Sequence, residues 1–342
     1  MLSRRGRWLV FATALAMIGL AYALLAGTYG GASPDEGAPA PTVSVPTASG
    51  PSAPPARGPQ PPSSGAWVGA WVKPEVPTQS GQVAAVAKFE ENLGRPLDVV
   101  QVYHQWDDDF PSDADKDFVA QGRTLLLSWS GADTRVIVTG RYDEEIKARA
   151  EEVKALDAPI LLRWRWEMNR PNLAGSVWSA ADYVAAWKHI RKIFTEVGAT
   201  NAAWVWCPIA TDFQATGGPA YYPGDDEVEW LCTDVYPGPD YLSFAQVSAE
   251  FLAWAASHDK PVLIGEYGAE DAQPGQRLAW LNGTAAFVKA HPQVKGVVYY
   301  DARHQDGGHD RDFSLVPGTD PWHAFMAMAK QEYFNTGQGG GG

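Results

Sequence analysis

The chain has 342 residues, a formal net charge of −13 and only two cysteines. The acidic balance excludes nucleic acid as a partner, because phosphate binding needs clustered Lys and Arg. Two cysteines exclude a disulfide framework and the usual zinc spacing. Fifteen tryptophans in a chain of 45 % hydrophobic content suit either a Trp-rich core or the flat C–H faces of sugar rings.

In chain order, Arg4, Arg5 and Arg7 precede an apolar stretch over residues 8–26. That pattern is a signal peptide or a signal anchor, and it predicts export with the arginines left in the cytoplasm. The product is expected to be secreted, or tethered to the outer face of the membrane. With the targeting segment taken as 1–32, residues 33–64 form a linker rich in Pro, Ser and Ala. Such a composition cannot bury a core; at about 3.1 Å per residue it reaches up to ~100 Å. Residues 65–334 are the folded domain and 335–342 a Gly-rich tail.

Short β-branched or aromatic runs mark strands at 67–72, 99–103, 124–129, 160–166, 202–207, 231–236, 262–266 and 296–300. Helical stretches alternate with them at 81–92, 113–121, 143–156, 180–197, 244–258 and 276–291, with a last one at 322–333. Ser179 is placed to cap the helix from Ala180, in which Tyr183, Trp187, Ile190 and Phe194 form one apolar stripe. Eight strand–helix units of this size predict an α/β fold, a (β/α)8 TIM barrel in a single domain. A doubly wound open sheet is the alternative, but no Gly-x-Gly-x-x-Gly turn follows any strand, so no dinucleotide cofactor is signalled. Cys207 and Cys232 are expected to be two buried free thiols, with a single bridge as the alternative. The chain is expected to be a monomer.

Two glutamates carry the chemistry. Glu167 ends the run Leu161-Leu-Arg-Trp-Arg-Trp-Glu, and Glu266 ends Pro261-Val-Leu-Ile-Gly-Glu. In a barrel both carboxylates stand at the C-terminal face, on strands four and seven, where catalytic groups gather. Two facing carboxyls are the minimum equipment for cleaving a glycosidic bond, and a retaining enzyme holds them about 5–5.5 Å apart. Glu167, flanked by Trp166 and Met168, has the surroundings of a proton donor; Glu266, between Gly265 and Tyr267, those of a nucleophile. The structural alternative is that each glutamate pairs with an arginine such as Arg163 or Arg165. The His- and Asp-rich segment 301–312 fits no fixed ligand spacing, so no metal is expected there.

These motifs resemble the catalytic domain of glycoside hydrolase family 26, retaining (β/α)8 hydrolases of clan A best known for endo-β-mannanases. The likeness runs over Arg163, Glu167-Met-Asn169, Asn201-Ala-Ala-Trp-Val-Trp-Cys-Pro208, Tyr221-Tyr-Pro-Gly-Asp225, Trp230, Asp234-Val-Tyr236 and Glu266. It implies that Glu167 is the acid/base, Glu266 the nucleophile and Tyr236 the residue that orients the nucleophile, with Arg163 supporting the acid/base region. It also implies a polysaccharide substrate, with β-1,4-mannan the default.

Two positions depart from the family. Trp166 and Ser130, beside Trp129, stand where mannanases carry histidines against the −1 sugar. Mixed-linkage β-glucan, β-1,3-xylan or an exopolysaccharide of the producing organism are therefore rivals to mannan. Asn169, Trp206, His104, Trp106, Trp178 as an aglycone platform, and Tyr300 complete the expected substrate contacts. A barrel that binds glycan without cleaving it is the alternative of another class.

Overall fold

The computed structural model describes residues 58–306 and 309–336. The targeting segment, most of the linker and the end of the Gly-rich tail lie outside the described residues. Among those described, no helix is long and apolar enough to cross a membrane.

Eight parallel strands close into a barrel in sequence order. They are β1 (Trp67–Val72), β2 (Val99–His104), β3 (Thr124–Trp129), β4 (Ile160–Trp164), β5 (Ala202–Trp206), β6 (Trp230–Val235), β7 (Val262–Tyr267) and β8 (Val294–Asp301). β1 pairs with β8 along its whole length, from Trp67 opposite Gly296 to Val72 opposite Asp301, which closes the ring. The helices are α1 (Gln79–Leu93), α2 (Asp113–Ala120), α3 (Thr134–Ile137), α4 (Asp143–Ala155), α5 (Ala174–Val177), α6 (Ala180–Val197), α7 (Phe244–Ala255), α8 (Gln276–Ala290) and α9 (Asp320–Ala329). A hairpin of β9 (Arg303–Asp306) and β10 (His309–Asp312) follows β8. The short α3 and α5 and this hairpin are too brief for their periodicity to show in the sequence.

The predicted elements match, with shifts at their ends. Ser179 caps α6 by accepting from the Asp182 amide, and Tyr183, Trp187, Ile190 and Phe194 are buried as one stripe. Ser112 and Ser243 close capping boxes with Asp115 and Gln246 at α2 and α7, each cap contributing ~1 kcal/mol. One boundary needs correction: β4 stops at Trp164, two residues earlier than the apolar run suggests. Arg165 and Glu167 take positive φ of 46° and 53°, a region that side chains disfavour, and the Glu167 amide donates to the Cys207 carbonyl at 2.6 Å. The chain there is turned out of the strand and tied to the segment after β5.

Successive side chains of a strand face opposite sides, so each strand feeds two cores. One lies between strands and helices, the other inside the barrel, where Val99, Leu126, Leu161, Val205, Cys232 and Leu263 meet. At the lower end Trp67 stacks on Trp230, ring centroids 5.3 Å apart. Residues 58–64, read as the end of the linker, are part of the described chain. Gly58 and Pro59 are buried, and the Trp230 indole donates to the Pro59 carbonyl at 3.2 Å. The free-thiol expectation is overturned: Cys207 and Cys232 form a disulfide, Cα–Cα 4.3 Å, inside the barrel. They are inward positions on neighbouring chain segments, which is why they meet.

Candidate active site

The inward rows turn polar toward the strands' C-terminal ends. On β2 the row runs Val99, Gln101, Tyr103; on β3 Leu126, Ser128; on β4 Leu161, Arg163; on β6 Trp230, Cys232, Asp234. Gln101, Ser128, Arg163 and Asp234 are all fully buried. Arg163 is the hub. Its Nε donates to Ser128 Oγ at 2.9 Å, its Nη1 to Asp234 Oδ1 at 3.1 Å, and its Nη2 to Glu266 Oε1 at 2.7 Å. Burial works against the guanidinium's charge, but Asp234 and Glu266 outweigh it and push its pKa up. Breaking a buried pair of this kind costs about 3–5 kcal/mol, so Arg163 holds the barrel together as well as the site. Gly265 makes the approach possible: a Cβ there would lie 2.5 Å from Cys232 Sγ and 2.9 Å from both Arg163 Nη1 and Asp234 Oδ1.

Three short hydrogen bonds converge on Glu266. Arg163 and the Tyr103 hydroxyl, at 2.6 Å, share Oε1, and the Tyr236 hydroxyl donates to Oε2 at 2.9 Å. Burial, then the Glu266 charge, push the pKa of both phenols well up, so each remains a proton donor. Glu167 is placed differently. It is buried at 8 % exposure, and Arg170 donates to it, Nη1 to Oε2 at 2.7 Å. Burial first, and the Glu266 charge second, raise its pKa; Arg170 and Arg163 oppose the rise. Two guanidiniums, Arg163 and Arg170, thus face three carboxyls, Asp234, Glu167 and Glu266. Burial and the Glu266 charge raise the pKa of Asp234 too, but both Asp234 oxygens accept from the buried Arg163 at 3.1 and 3.3 Å, whereas Glu167 stands past the strand end with a raised pKa.

Aromatic rings surround Glu266. Trp71 stacks on Tyr300 at 4.9 Å, Tyr103 meets Trp71 edge-on at 5.4 Å and Trp166 at 5.3 Å, and Tyr236 meets Tyr300 at 6.3 Å. The Arg163 guanidinium lies 4.9 Å from the centre of the Trp166 ring. A cleft lined by Trp71, Tyr103, Thr78, Gln79, Gln82 and Asp108 runs outward over the loops after β1 and β2.

No protein-family model matches the chain. Endoglucanase H of Acetivibrio thermocellus is 30 % identical over 240 residues, 64 % of this chain and 26 % of that protein. The β-1,3-xylanase TXYA of a Vibrio species is 30 % identical over 139 residues, 38 % of this chain and 28 % of that protein. The chain therefore spans about a quarter of the length of these relatives. Among solved structures, a family 26 β-mannanase from Bacteroides ovatus superposes with a TM-score of 0.60 at 16 % identity, covering 80 % of this chain and 90 % of that one. The barrel shares the fold of that mannanase.

The structure brings Glu167, Glu266, Tyr236, Trp166 and Tyr300 together at one mouth of the barrel. The Arg163 charge acts on Glu167 as expected, but its hydrogen bonds go to Glu266 and Asp234, while Arg170 pairs with Glu167. Other expected substrate contacts face elsewhere. Trp129 is fully buried, stacked on Trp106 at 4.5 Å, and its indole donates to the Trp106 carbonyl. Trp206 is fully buried on the outer side of β5 against Phe213, Tyr222 and Trp254. His104 is bound to Asp115 at 2.8 Å, anchoring α2. The Asn169 amide accepts from the Ile209 amide and donates to Thr216, fixing the loop after β5. Ser130 is half-buried and donates its amide to the His104 carbonyl. Trp178 remains exposed at 46 %, with the Arg135 guanidinium 4.5 Å from its ring centre and its indole bonded to Asp133. Its φ of 62° shows the loop holding that ring out against backbone preference.

Sequence reasoning missed Tyr103, Gln101, Trp71 and Arg170. A signal for two of them was present: Gln101 and Tyr103 alternate with Val100 and Val102 in an otherwise apolar strand, which puts both on the inner face. Arg170 yields a direct test. Since its charge holds the Glu167 pKa down, Arg170→Gln raises it further. The protonated donor then persists to higher pH, and the basic limb of the kcat/KM profile is expected to move up. A downward shift would separate Arg170 from the proton donor.

Proposed function

We propose that the chain is an exported, retaining endo-β-glycan hydrolase. The observation that carries this is the unequal treatment of two facing carboxyls: three short hydrogen bonds to Glu266, and burial with an elevated pKa on Glu167. In the first step a Glu266 oxygen attacks the anomeric carbon as the glycosidic bond breaks, and Glu167 gives its proton to the departing oxygen. In the second, Glu167 takes a proton from water, the hydroxyl attacks the same carbon, and Glu266 leaves as the carboxylate. Tyr236, Tyr103 and Arg163 keep Glu266 aimed in both. Trp178 serves the aglycone side as an exposed ring, and Tyr300 the glycone side. Export rests on the arginines and apolar stretch at the N-terminus.

For the substrate, we favour a backbone of glucose or xylose units over mannose. An axial C2 hydroxyl needs a polar partner beside the acid/base. Here Trp166 stands there, lying against Arg163 and Tyr103, and an indole can donate one hydrogen bond but accept none. The named relatives that align by sequence, an endoglucanase and a β-1,3-xylanase, support the same choice. β-1,4-Mannan is the second reading, favoured by the fold neighbour from Bacteroides ovatus. Barley mixed-linkage β-glucan, β-1,3-xylan and carob galactomannan, each incubated with the full chain and assayed for released oligosaccharides, decide. Release from glucan or xylan in preference to galactomannan is expected. Release from galactomannan alone would establish mannan, and binding without release from any polymer would establish a glycan-binding barrel.

A further inference from the structure

We infer that Tyr103, on β2, is a second positioning residue of the nucleophile, resting on the hydrolase reading above. Its hydroxyl lies 2.6 Å from Glu266 Oε1, closer than the 2.9 Å between Tyr236 and Oε2. A hydroxyl bonded to a carboxylate at this distance is charge-assisted and stronger than a neutral bond. The Gln101 side-chain amide, fully buried two residues earlier on the same strand face, lies 2.8 Å from the phenol oxygen; turned so that its nitrogen donates to the Gly265 carbonyl, its oxygen competes for the phenol proton, which the shorter contact to the charged Glu266 takes. The ring is clamped by Trp71 on one side and Trp166 on the other. Glu266 Oε1 therefore takes both Tyr103 and Arg163, whereas Oε2 takes Tyr236. This asymmetry makes Oε1 the anchored oxygen and leaves Oε2 to form the bond to the anomeric carbon.

The ring and the hydroxyl have separable duties. The ring lines the cleft with Trp71 and Gln82; the hydroxyl alone reaches the carboxylate. Tyr103→Phe keeps the wall and removes the donor. On whichever of the three polymers the wild type cleaves, it is expected to lower kcat on the order of 10- to 100-fold while KM stays within about twofold. Tyr103→Ala also opens the wall, and KM should then rise as well. An unchanged kcat in Tyr103→Phe would overturn the inference. So would a loss in kcat matched by a fall in melting temperature, which marks a purely structural tyrosine. A readout independent of turnover is the proton spectrum of the full chain. The short hydroxyl–carboxylate bond should give a downfield, exchange-protected resonance that Tyr103→Phe and Glu266→Ala both abolish and Tyr236→Phe retains. If the wild type leaves every polymer intact, the hydrolase reading falls, and this resonance still decides whether Tyr103 holds Glu266.

Discussion

Glu266→Ala is expected to lower kcat by on the order of 10⁴-fold or more, because the group that would form the covalent intermediate is gone. The fold should survive. Arg163 keeps its bonds to Asp234 and Ser128, so the buried guanidinium is not left without an anion, the condition that makes breaking a buried pair so costly. The space vacated by the carboxylate lies beneath the sugar and opens the variant to rescue. With an aryl glycoside bearing a good leaving group, added azide should enter that space and form a glycosyl azide of inverted configuration. Steady-state rates on the polymer and the product anomer, read by proton NMR, check both parts. Near-normal turnover in Glu266→Ala would assign the nucleophile elsewhere.

Glu167→Gln is the second large effect. It keeps the shape and removes the proton, so hydrolysis of a polymer, whose leaving group needs protonation, should fall by about 10²- to 10⁴-fold. A 2,4-dinitrophenyl glycoside needs little help to leave. Its first step should be nearly unimpaired, and a burst of dinitrophenolate should precede slow turnover as the covalent intermediate waits for a base. Stability should hold or rise, since the substitution replaces a buried carboxyl whose ionisation is opposed by burial and by Glu266. Equal losses on both substrates would remove Glu167 from proton transfer.

Much of the fold was legible because the pattern is strong and repeated. Eight apolar runs separated by amphipathic helices leave few architectures, and the strand ends placed Glu167 and Glu266 at one face. What escaped were features set by three-dimensional neighbours. Trp129 and Trp206 have the composition of sugar platforms, but they point to the helix side of their strands and pack on Trp106 and Trp254. Strand phase distinguishes such residues from Tyr103, and the phase of a short run is fixed only when its ends are known. The positive φ at Arg165 and Glu167 breaks the alternation of β4, so the side of the acid/base could not be counted forward from Leu161. The hydrogen bonds of Arg163 were hidden for a related reason: the resemblance ties it to the Glu167 region, whereas two-residue alternation sends the guanidinium inward to Asp234 and Glu266. Likewise Cys207 and Cys232 are distant in sequence and meet because β5 and β6 are neighbours.

The central claim is that Glu266 forms a covalent bond to the sugar. A 2-deoxy-2-fluoro β-glycosyl fluoride, built on the disaccharide released from the cleaved polymer, should inactivate the chain with time. Peptide mass spectrometry should then place one glycosyl mass on Glu266, and the label should be absent in Glu266→Ala. A label on Glu167, or continued turnover of the probe to an inverted product without any adduct, would contradict the double displacement.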